Sequence, residues 1–451
     1  MDAIRTASPP TSGYDASACS VKQNASGARI VLATLGTLGD LNPFIGIAVA
    51  LRDAGFAPVV VTHEEYRSLV DAAGIDFYPM RPDRSELQRA SAMDAEQLFR
   101  AVRARPQTVL TRYVLPYLEQ SYEDAAAALA EAHMIFSSSL SFGAKLAAEK
   151  RGVPHVSVVL QPGMMASAHD PPVLTSQMLP GRLLGAGGLP VRRALLRAVH
   201  RISRRWVRPV DSFRARLGLP AGQHPLFEGQ SAADCTLGLY SAVLGGPQPD
   251  HPARFSIAGF SFYDGAGTVP PSLQQFLDDG PAPLVFTLGT SAVHDSTRFV
   301  RVALQSLAVL QERAILILDD AQIARLQGEL PSHVQICGYV PYSQIFPRAR
   351  IIIHHGGIGT TAQALRAGRP QLIAPYFVDQ PDNAARVVRC GAGRVLPLDR
   401  WEPRRLTSIL RQLLLDRPIA ERAAAIAADL TQENGPEAAV QLATRLSSNR
   451  T

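Results

Sequence analysis

The sequence predicts an α/β protein of two doubly wound domains that face each other across a central cleft. Short runs of Val, Ile and Leu alternate with longer helical patterns in two series, one starting at residue 29 and the other at residue 283. Unbroken apolar runs of this kind are typical of parallel strands that helices cover on both faces. The length of 451 residues is also too great for one ordinary hydrophobic core and fits two.

The two series supply the predicted elements in chain order. In the first, a strand at 29–34 leads through a glycine turn into a helix at 43–54, and further strands follow at 58–62, near 77, near 135 and at 155–160. In the second, strands are predicted at 283–290, 314–319, 334–339, 350–355 and 371–376. Ligands of such sheets bind beyond the carboxyl ends of the strands, so the residues after each strand are the candidates for function.

These patterns divide the chain into four parts. Residues 1–28 are rich in Ser and Ala and predict a disordered leader, and residues 29–243 form the N-terminal domain. A stretch rich in Pro and Gly predicts a linker at 244–258, and residues 259–451 form the C-terminal domain, which ends in helices.

Composition narrows the class of protein. A hydrophobic content of 46% with 19% charged residues fits a globular protein, and a net charge of +6 is too small to indicate nucleic-acid binding. No apolar run is long enough for a membrane helix, and the first 28 residues lack the core of a signal peptide. The four cysteines are scattered without a CxxC pair, which argues against a zinc or redox motif and favours the cytoplasm.

A turn rich in Gly, His and Thr follows the predicted strand at 350–355. The segment HHGGIGTT covers residues 354–361 and leads into a helix, where free backbone N–H groups attract an anion, above all a phosphate. Gly357 and Gly359 allow the backbone to approach such a ligand, and His355 and Thr360 add hydrogen-bond donors. The alternative is a plain glycine turn with helix-capping threonines, which would need no pair of histidines.

A carboxylate and a carboxamide, Asp379 and Gln380, follow the next strand and return to the same edge of the sheet. Their acceptors and donors suit adjacent sugar hydroxyls, although the dipeptide on its own carries little information. Its position one βαβ unit beyond the phosphate turn makes it a candidate sugar site.

The stretch from Gly338 to Ala384 resembles the nucleotide-sugar signature of the family-one glycosyltransferases, whose GT-B fold consists of two Rossmann-like domains. With the N-terminal turn described below, the resemblance spans about residues 29–400. It implies that His355 contacts the donor diphosphate and that Asp379 and Gln380 hold the donor sugar. It further implies donor-binding roles for Gly289, Thr290 and Ser291 at the diphosphate, for Tyr339, Val340 and Pro341 at the base, and for Gly359 and Thr360 at the phosphates.

One position departs from the family pattern. Many members have a glutamate eight residues after the phosphate histidine, where it binds the ribose hydroxyls, and this chain has Gln363 there. Glutamine still forms hydrogen bonds but lacks the strength of a charged carboxylate. The resemblance implies a UDP- or dTDP-sugar as co-substrate, and this substitution leaves the choice between them open.

Asp40 follows the first strand in the turn GTLGDLNP, residues 36–43. By spacing it is a candidate helix cap. The resemblance implies that it is the general base that takes the proton from the acceptor hydroxyl, a role that needs a raised pKa or a late proton transfer. The implied reaction is a single displacement that inverts the anomeric configuration. His355, Thr290, Ser291 and the helix N-terminus would stabilise the leaving diphosphate, so no catalytic metal is expected.

The acceptor region is predicted at about residues 80–240, and its apolar residues include Met164 and Met165. These side chains suit a lipid or polyketide acceptor, and packing in the core explains them equally well. Within the family, the segments at 167–173 and 258–265 resemble the rhamnosyltransferase B chain of rhamnolipid synthesis and the macrolide and sterol glycosyltransferases. A nucleotide-sugar epimerase of the same fold and a non-catalytic family member are the alternatives.

A basic segment, residues 190–209, combines many arginines with apolar residues at helical spacing. One interpretation is a surface helix with a solvated basic face. The other is a helix that lies on an anionic membrane, which would put a cytoplasmic protein at the inner face of the membrane. The sequence predicts neither the oligomeric state nor the identity of the acceptor.

Overall fold

A computed structural model gives the structure of the protein. It describes residues 27–83, 86, 101, 102, 105, 107–173, 188–227, 230, 232–265, 267–289, 296–324, 326, 330–376 and 378–448. The predicted leader therefore lies outside the described residues up to residue 26, as do the predicted donor-binding residues Thr290 and Ser291.

The N-terminal domain contains a parallel sheet in the order β3-β2-β1-β4-β5-β6-β7. Its strands are β1 Arg29–Ala33, β2 Ala57–Thr62, β3 Asp76–Pro79, β4 Met134–Ser138, β5 His155–Val159, β6 Cys235–Gly238 and β7 Phe255–Ile257. The α-helices described in this part of the chain are α1 Leu38–Asp53, α2 Arg67–Ala72, α3 Leu118–Ala128, α4 Phe142–Arg151, α5 Leu189–Ser203 and α6 Arg208–Arg216.

The C-terminal domain contains a second parallel sheet in the order β10-β9-β8-β11-β12-β13. Its strands are β8 Leu284–Thr287, β9 Ala314–Ile317, β10 Val334–Cys337, β11 Ile351–His354, β12 Gln371–Ile373 and β13 Gly393–Val395. The helices are α7 Pro271–Asp278, α8 Ser296–Leu310, α9 Asp320–Ala324, α10 Tyr342–Ile345, α11 Ile358–Arg366, α12 Gln380–Arg389, α13 Pro403–Leu415, α14 Arg417–Leu430 and α15 Gly435–Ser448.

The strands are apolar on both faces because helices cover both sides of each sheet, as the sequence predicts. In β1, Ile30 and Leu32 pack into a cluster that contains residues of α1, whereas Val31 and Ala33 pack on the opposite face against α3 and α4. All four side chains are fully buried because helices cover both faces of the sheet. The predicted fold class is confirmed.

Two details differ from the predicted domain limits. The predicted linker, residues 244–258, contains β7, which pairs with β6, so the chain leaves the first sheet only after Ile257. The last helix, α15, crosses back and buries Ala439, Leu442 and Ala443 in the core cluster that contains α1. The apolar face of α15 packs against the N-terminal domain. The C-terminal end of the chain therefore belongs in space to the domain that the N-terminal half forms.

Each sheet reverses its strand order between two neighbouring strands, β1 and β4 in the first and β8 and β11 in the second. The loops beyond the carboxyl ends of such strands splay apart and form a binding crevice. Here these loops include Gly36 and Thr37, just before α1, and the turn at His355, and the two crevices open into one cleft. Among the described residues, no helix has the length and apolar content needed to cross a membrane.

Candidate active site

A cavity of about 520 Å³ lies between the two domains and is lined by residues from both. The N-terminus of α1 and the N-terminus of α11 both line this cavity. A Cβ atom added to Gly359 would lie 3.7 Å from the Cα of Gly39, which is ordinary van der Waals contact, so the two turns lie directly against each other. Two helix N-termini thus direct their positive dipole ends into the same cleft.

The wall formed by the N-terminal domain presents Asp40 at the third position of α1. Thr37 is the N-cap residue, and Asp40 reaches back to it in a capping box, so the predicted cap is shared by two residues. Oδ2 of Asp40 accepts the backbone N–H of Thr37 at 2.8 Å and its hydroxyl at 3.2 Å. Oδ1 accepts no hydrogen bond from the residues that the structure describes, and Asp40 lines the cavity.

The loop before Asp40 depends on Gly36. Its φ of +138° and the absence of a side chain let the carboxylate fold back, because a Cβ there would lie 2.3 Å from Oδ2 of Asp40. Behind the loop, the hydroxyl of Tyr66 donates to the carbonyl of Gly36 at 3.2 Å, and the N–H of Gly36 donates to Nε2 of His63 at 3.3 Å. Burial raises the pKa of Asp40, and its hydrogen bonds from Thr37 oppose that shift.

The two histidines of the turn after β11 have different surroundings. His354 is fully buried; its Nε2 pairs with Oε1 of Gln371 at 2.9 Å, and its Nδ1 accepts the N–H of Gly356 at 3.1 Å. This pattern gives His354 a structural role in holding the turn. His355 lines the cavity instead.

The imidazole of His355 is held between two glycines. A Cβ on Gly289 would lie 2.6 Å from its Cε1, and a Cβ on Gly357 would lie 2.5 Å from its Nε2. Burial, together with the nearby His354, lowers the pKa of His355 to about 3, so the ring is neutral at pH 7. Its buried Nδ1 has no hydrogen-bond partner among the described residues, which leaves the ring available to a ligand oxygen.

The N-terminus of α11 carries the remaining phosphate candidates. Its N-cap, Gly357, provides no side-chain cap, so first-turn N–H groups remain for a ligand. Thr360 is hydrogen-bonded to Tyr342, whose hydroxyl also pairs with Oγ1 of Thr287 at 2.9 Å. Gln363 lines the cavity, and its buried Oε1 has no partner among the described residues.

Asp379 and Gln380 begin α12 at the same cavity. Asn383 donates to Oδ2 of Asp379 at 2.7 Å, and Gln380 uses its Oε1 to accept the N–H of Tyr376 at 2.9 Å. Burial raises the pKa of Asp379 to about 7, and the carboxylate of Asp40 across the cleft acts in the same direction. The preceding residue, Val378, has a φ of +57°, which is unfavourable for a β-branched side chain and indicates a constrained loop.

The predicted base-binding residues separate in the structure. Tyr339 is 53% exposed and lines the cavity, whereas Val340 is 2% exposed and packs in the core cluster with Ile345 and Phe346. The side chain of Val340 is therefore a core residue and does not line the cleft. The sequence shows that Tyr339 and Val340 are neighbours, but it does not show which of the two side chains faces the cleft and which faces the core.

The predicted acceptor residues separate in the same way. Met164 lines the cavity, and Met165 is buried in the core, as the packing alternative required. The structure adds apolar residues that sequence reasoning missed: Val109, Leu110, Leu140, Trp206 and Leu226. These come from distant segments, so no local motif could have indicated them.

Two family models match the chain. The glycosyltransferase family 28 N-terminal domain matches residues 30–169, and the erythromycin biosynthesis protein CIII-like C-terminal domain matches residues 301–446. The chain is 30% identical to O-mycaminosyltylonolide 6-deoxyallosyltransferase of Streptomyces fradiae, over 94% of this chain and 98% of that protein. It is 24% identical to a sterol 3-beta-glucosyltransferase of Arabidopsis thaliana, over 91% of this chain and 67% of that protein.

The solved structure of glycosyltransferase VinC in complex with dTDP has the same fold. The TM-score is 0.67 at 21% identity, with 93% of this chain and 100% of that chain covered. The chain belongs to the family of GT-B glycosyltransferases that its motifs resemble, and it is a glycosyltransferase. The relatives reported above are transferases, which gives the epimerase alternative no support.

Proposed function

We propose that this enzyme transfers a hexose or deoxyhexose from a nucleotide sugar to a hydroxyl of an apolar acceptor, with inversion of the anomeric configuration. The observation that carries the proposal is the shared cavity of about 520 Å³, which has Asp40 on one wall and His355, Asp379 and the N-terminus of α11 on the other. A base and a diphosphate site on opposite walls suit a single displacement.

In this reaction the acceptor oxygen attacks the anomeric carbon while the bond from that carbon to the diphosphate oxygen breaks. The acceptor proton goes to Oδ1 of Asp40, the oxygen not engaged by Thr37 among the described residues. The electron pair of the broken bond leaves with the diphosphate. The N–H groups of α11 and the imidazole of His355 then stabilise the added negative charge.

The donor is proposed to be a dTDP-sugar. Glutamine at position 363 offers a ribose 2′-hydroxyl only a neutral hydrogen bond, so the enzyme loses little when that hydroxyl is missing. The fold relative VinC was solved with dTDP, which supports the same choice. Tyr339 is exposed at the cavity and offers its ring to the base.

The acceptor is proposed to be a lipid, polyketide or sterol-like alcohol. An apolar wall of the cavity that Asp40 also lines is formed by Trp206, Leu226, Leu110 and Met164. Such a wall favours an apolar body that carries a hydroxyl. The relatives named for a macrolide intermediate and for sterols support this class. A non-catalytic member of the family would have no need for Asp40 and His355 in one cleft.

The proposal is tested by nucleotide and nucleotide-sugar binding in wild type and Asp379→Ala. Thermal shift and calorimetry with dTDP, UDP, dTDP-glucose, dTDP-rhamnose and UDP-glucose should give the tightest binding with a dTDP-sugar. Asp379→Ala should lower affinity for that sugar nucleotide by about tenfold or more, since a buried charged acceptor is lost. Its affinity for free dTDP should stay within about threefold.

The measurement belongs at pH 8, above the raised pKa of Asp379, where its carboxylate is ionised. An equal loss of dTDP and of dTDP-sugar binding in Asp379→Ala would make this residue structural. Conversion of a nucleotide sugar without any acceptor would identify an epimerase instead.

Helix α5 is proposed to contact an anionic membrane surface. Val191, Leu195 and Ile202 are 56%, 40% and 56% exposed, and their spacing puts them on one side of the helix. The exposed arginines of the same helix are Arg193, Arg197 and Arg201. An apolar stripe beside a basic face is the pattern of a helix that lies in a membrane interface. Trp206, just after this helix, belongs to the acceptor wall, so an amphiphilic acceptor would enter close to the membrane.

Vesicle sedimentation tests this contact. Wild type should bind phosphatidylglycerol–phosphatidylcholine vesicles and not pure phosphatidylcholine, and binding should weaken with salt. Changing Arg193, Arg197 and Arg201 to Ser should reduce binding by about 10²-fold, since each basic residue contributes about 1 kcal/mol. The matched control changes Arg301, Arg404 and Arg411, which are also exposed, and should retain binding. If both triple variants lost vesicle binding equally, the binding would depend on the net charge of the protein and not on helix α5.

A further inference from the structure

A buried ion-pair network joins the N-terminal domain to helix α12 behind the proposed sugar site. The side chain of Arg386 on α12 is only 3% exposed, and its Nε donates to Asp382 at 2.6 Å. Its Nη1 donates to Asp170 of the N-terminal domain at 2.5 Å and to the carbonyl of Leu244 at 2.9 Å. Arg389, which is 56% exposed, also pairs with Asp170 at 2.7 Å.

On the N-terminal side, the network holds the segment 161–173. The N–H of Val173 donates to Oδ1 of Asp382 at 2.9 Å. A Cβ on Gly163 would lie 2.8 Å from Oδ2 of Asp382, so the backbone of this segment rests directly on the carboxylate. Gln161 and Met164 of the same segment line the cleft.

On the C-terminal side, the network lies in the first two turns of the helix that begins with the sugar-binding candidates. Asp382 is followed by Asn383, whose amide donates to Oδ2 of Asp379 at 2.7 Å and to the carbonyl of Gly356 at 3.0 Å. A continuous chain of contacts therefore runs from Asp170 to Asp379 and on to the phosphate turn.

These buried charges are stable only while they remain paired with one another. The side chains of Arg386, Asp382 and Asp170 are 3%, 6% and 16% exposed, so each depends on its partners to offset the loss of water. Removing the charge of Asp170 would leave Arg386 under-compensated inside the interface between domains. The protein would lower the energy of this unpaired charge by moving α12 or the segment that carries Asp170.

We infer that Asp170, a residue of the N-terminal domain, is a positioning residue for the donor sugar. Through Arg386 and Asp382 it fixes the start of α12 so that Asp379 meets the sugar hydroxyls, and it ties that geometry to the segment on the acceptor wall. The inference rests on the proposed function because it takes Asp379 as the sugar-binding carboxylate. It predicts that a change on one domain weakens a contact made by the other.

The test uses whichever of dTDP-glucose, dTDP-rhamnose and UDP-glucose binds wild type most tightly. Its affinity is divided by the affinity for the matching free diphosphate, dTDP or UDP, and this ratio is the sugar gain. Asp170→Asn should reduce the affinity gain due to the sugar by about tenfold, in the range typical of coupled sites, and leave diphosphate affinity within about twofold. Arg386→Met should reproduce this loss. The double variant should add little, because both changes break one linkage.

Arg389→Gln is the matched control, since it removes an exposed partner of Asp170 and leaves Arg386 in place. It should change the sugar gain by less than about threefold. If Arg386→Met does not fold, Asp170→Asn still decides the matter, because Asp170 lies at the edge of the network.

An unchanged sugar gain in Asp170→Asn overturns the inference, as does an equal loss of diphosphate and sugar-nucleotide affinity. A loss in Arg389→Gln as large as in Asp170→Asn overturns it too. If Asp379→Ala loses the sugar gain and Asp170→Asn keeps it, only this inference fails. If wild type gains nothing from any sugar, the proposed function of Asp379 fails and this inference with it.

Discussion

Asp40→Asn is expected to lower kcat by about 10²- to 10⁴-fold, the usual effect of removing a positioned general base. Asparagine has nearly the same shape, and its oxygen can still accept the N–H that Thr37 now donates to Oδ2 at 2.8 Å. The start of α1 should therefore survive, and the melting temperature should change little. Affinity for dTDP should also persist, because the proposed donor contacts belong to the other domain.

A second variant separates catalysis from capping. Thr37→Ala removes the N-cap hydroxyl and keeps the carboxylate, so it should cost about 1 kcal/mol of stability and much less kcat than Asp40→Asn. The pH profile gives an independent check. Because the base must be ionised and burial raises its pKa, wild-type kcat at saturating donor, where Asp379 is already engaged by the sugar, should fall on the acid side at a pH above the ordinary range of an aspartate. Normal kcat in Asp40→Asn would refute the assignment.

The fold could be predicted because its signals are local and repeated. The runs at β1, β2 and β11 are apolar on both faces, which is typical of a parallel sheet that helices cover on both sides. The limits of the domains carried no such signal. Strand β7 follows a Pro-rich stretch and has only three residues, and α15 looks like any amphipathic helix until its partner α1 is known.

The candidate site, like the fold, was predictable only where the signal is local in the sequence. The positions of Asp40, His355 and Asp379 at the cleft could be predicted because each lies just after a strand, and the structure brings them to one cavity. Their proposed roles come from the family resemblance, since spacing alone made Asp40 a candidate helix cap. Side-chain direction is not visible, so Met164 and Met165 looked equivalent although only the first lines the cleft. The Asp170–Arg386 pair joins residues far apart in the chain, and one sequence contains no trace of that contact.

His355→Ala is expected to lower kcat by about 10²-fold, equivalent to about 2.7 kcal/mol of transition-state stabilisation. In the free enzyme the imidazole is neutral, since its pKa is lowered to about 3, so it is one hydrogen-bond donor that meets the diphosphate. This limits the expected loss to that of one donor. It also means that no fall of activity between pH 6 and pH 8 should come from His355 in the free enzyme.

His355→Gln is the conservative comparison because it keeps an N–H donor in a space that Gly289 and Gly357 confine. It should recover part of the activity that alanine loses, and the KM for the donor should change less than kcat in both variants. His354→Ala should behave differently: loss of its bonds to Gln371 and Gly356 should lower the melting temperature. Near-normal turnover of His355→Ala at saturating donor would remove this residue from the reaction, and the helix N-terminus would then be the principal group acting on the diphosphate.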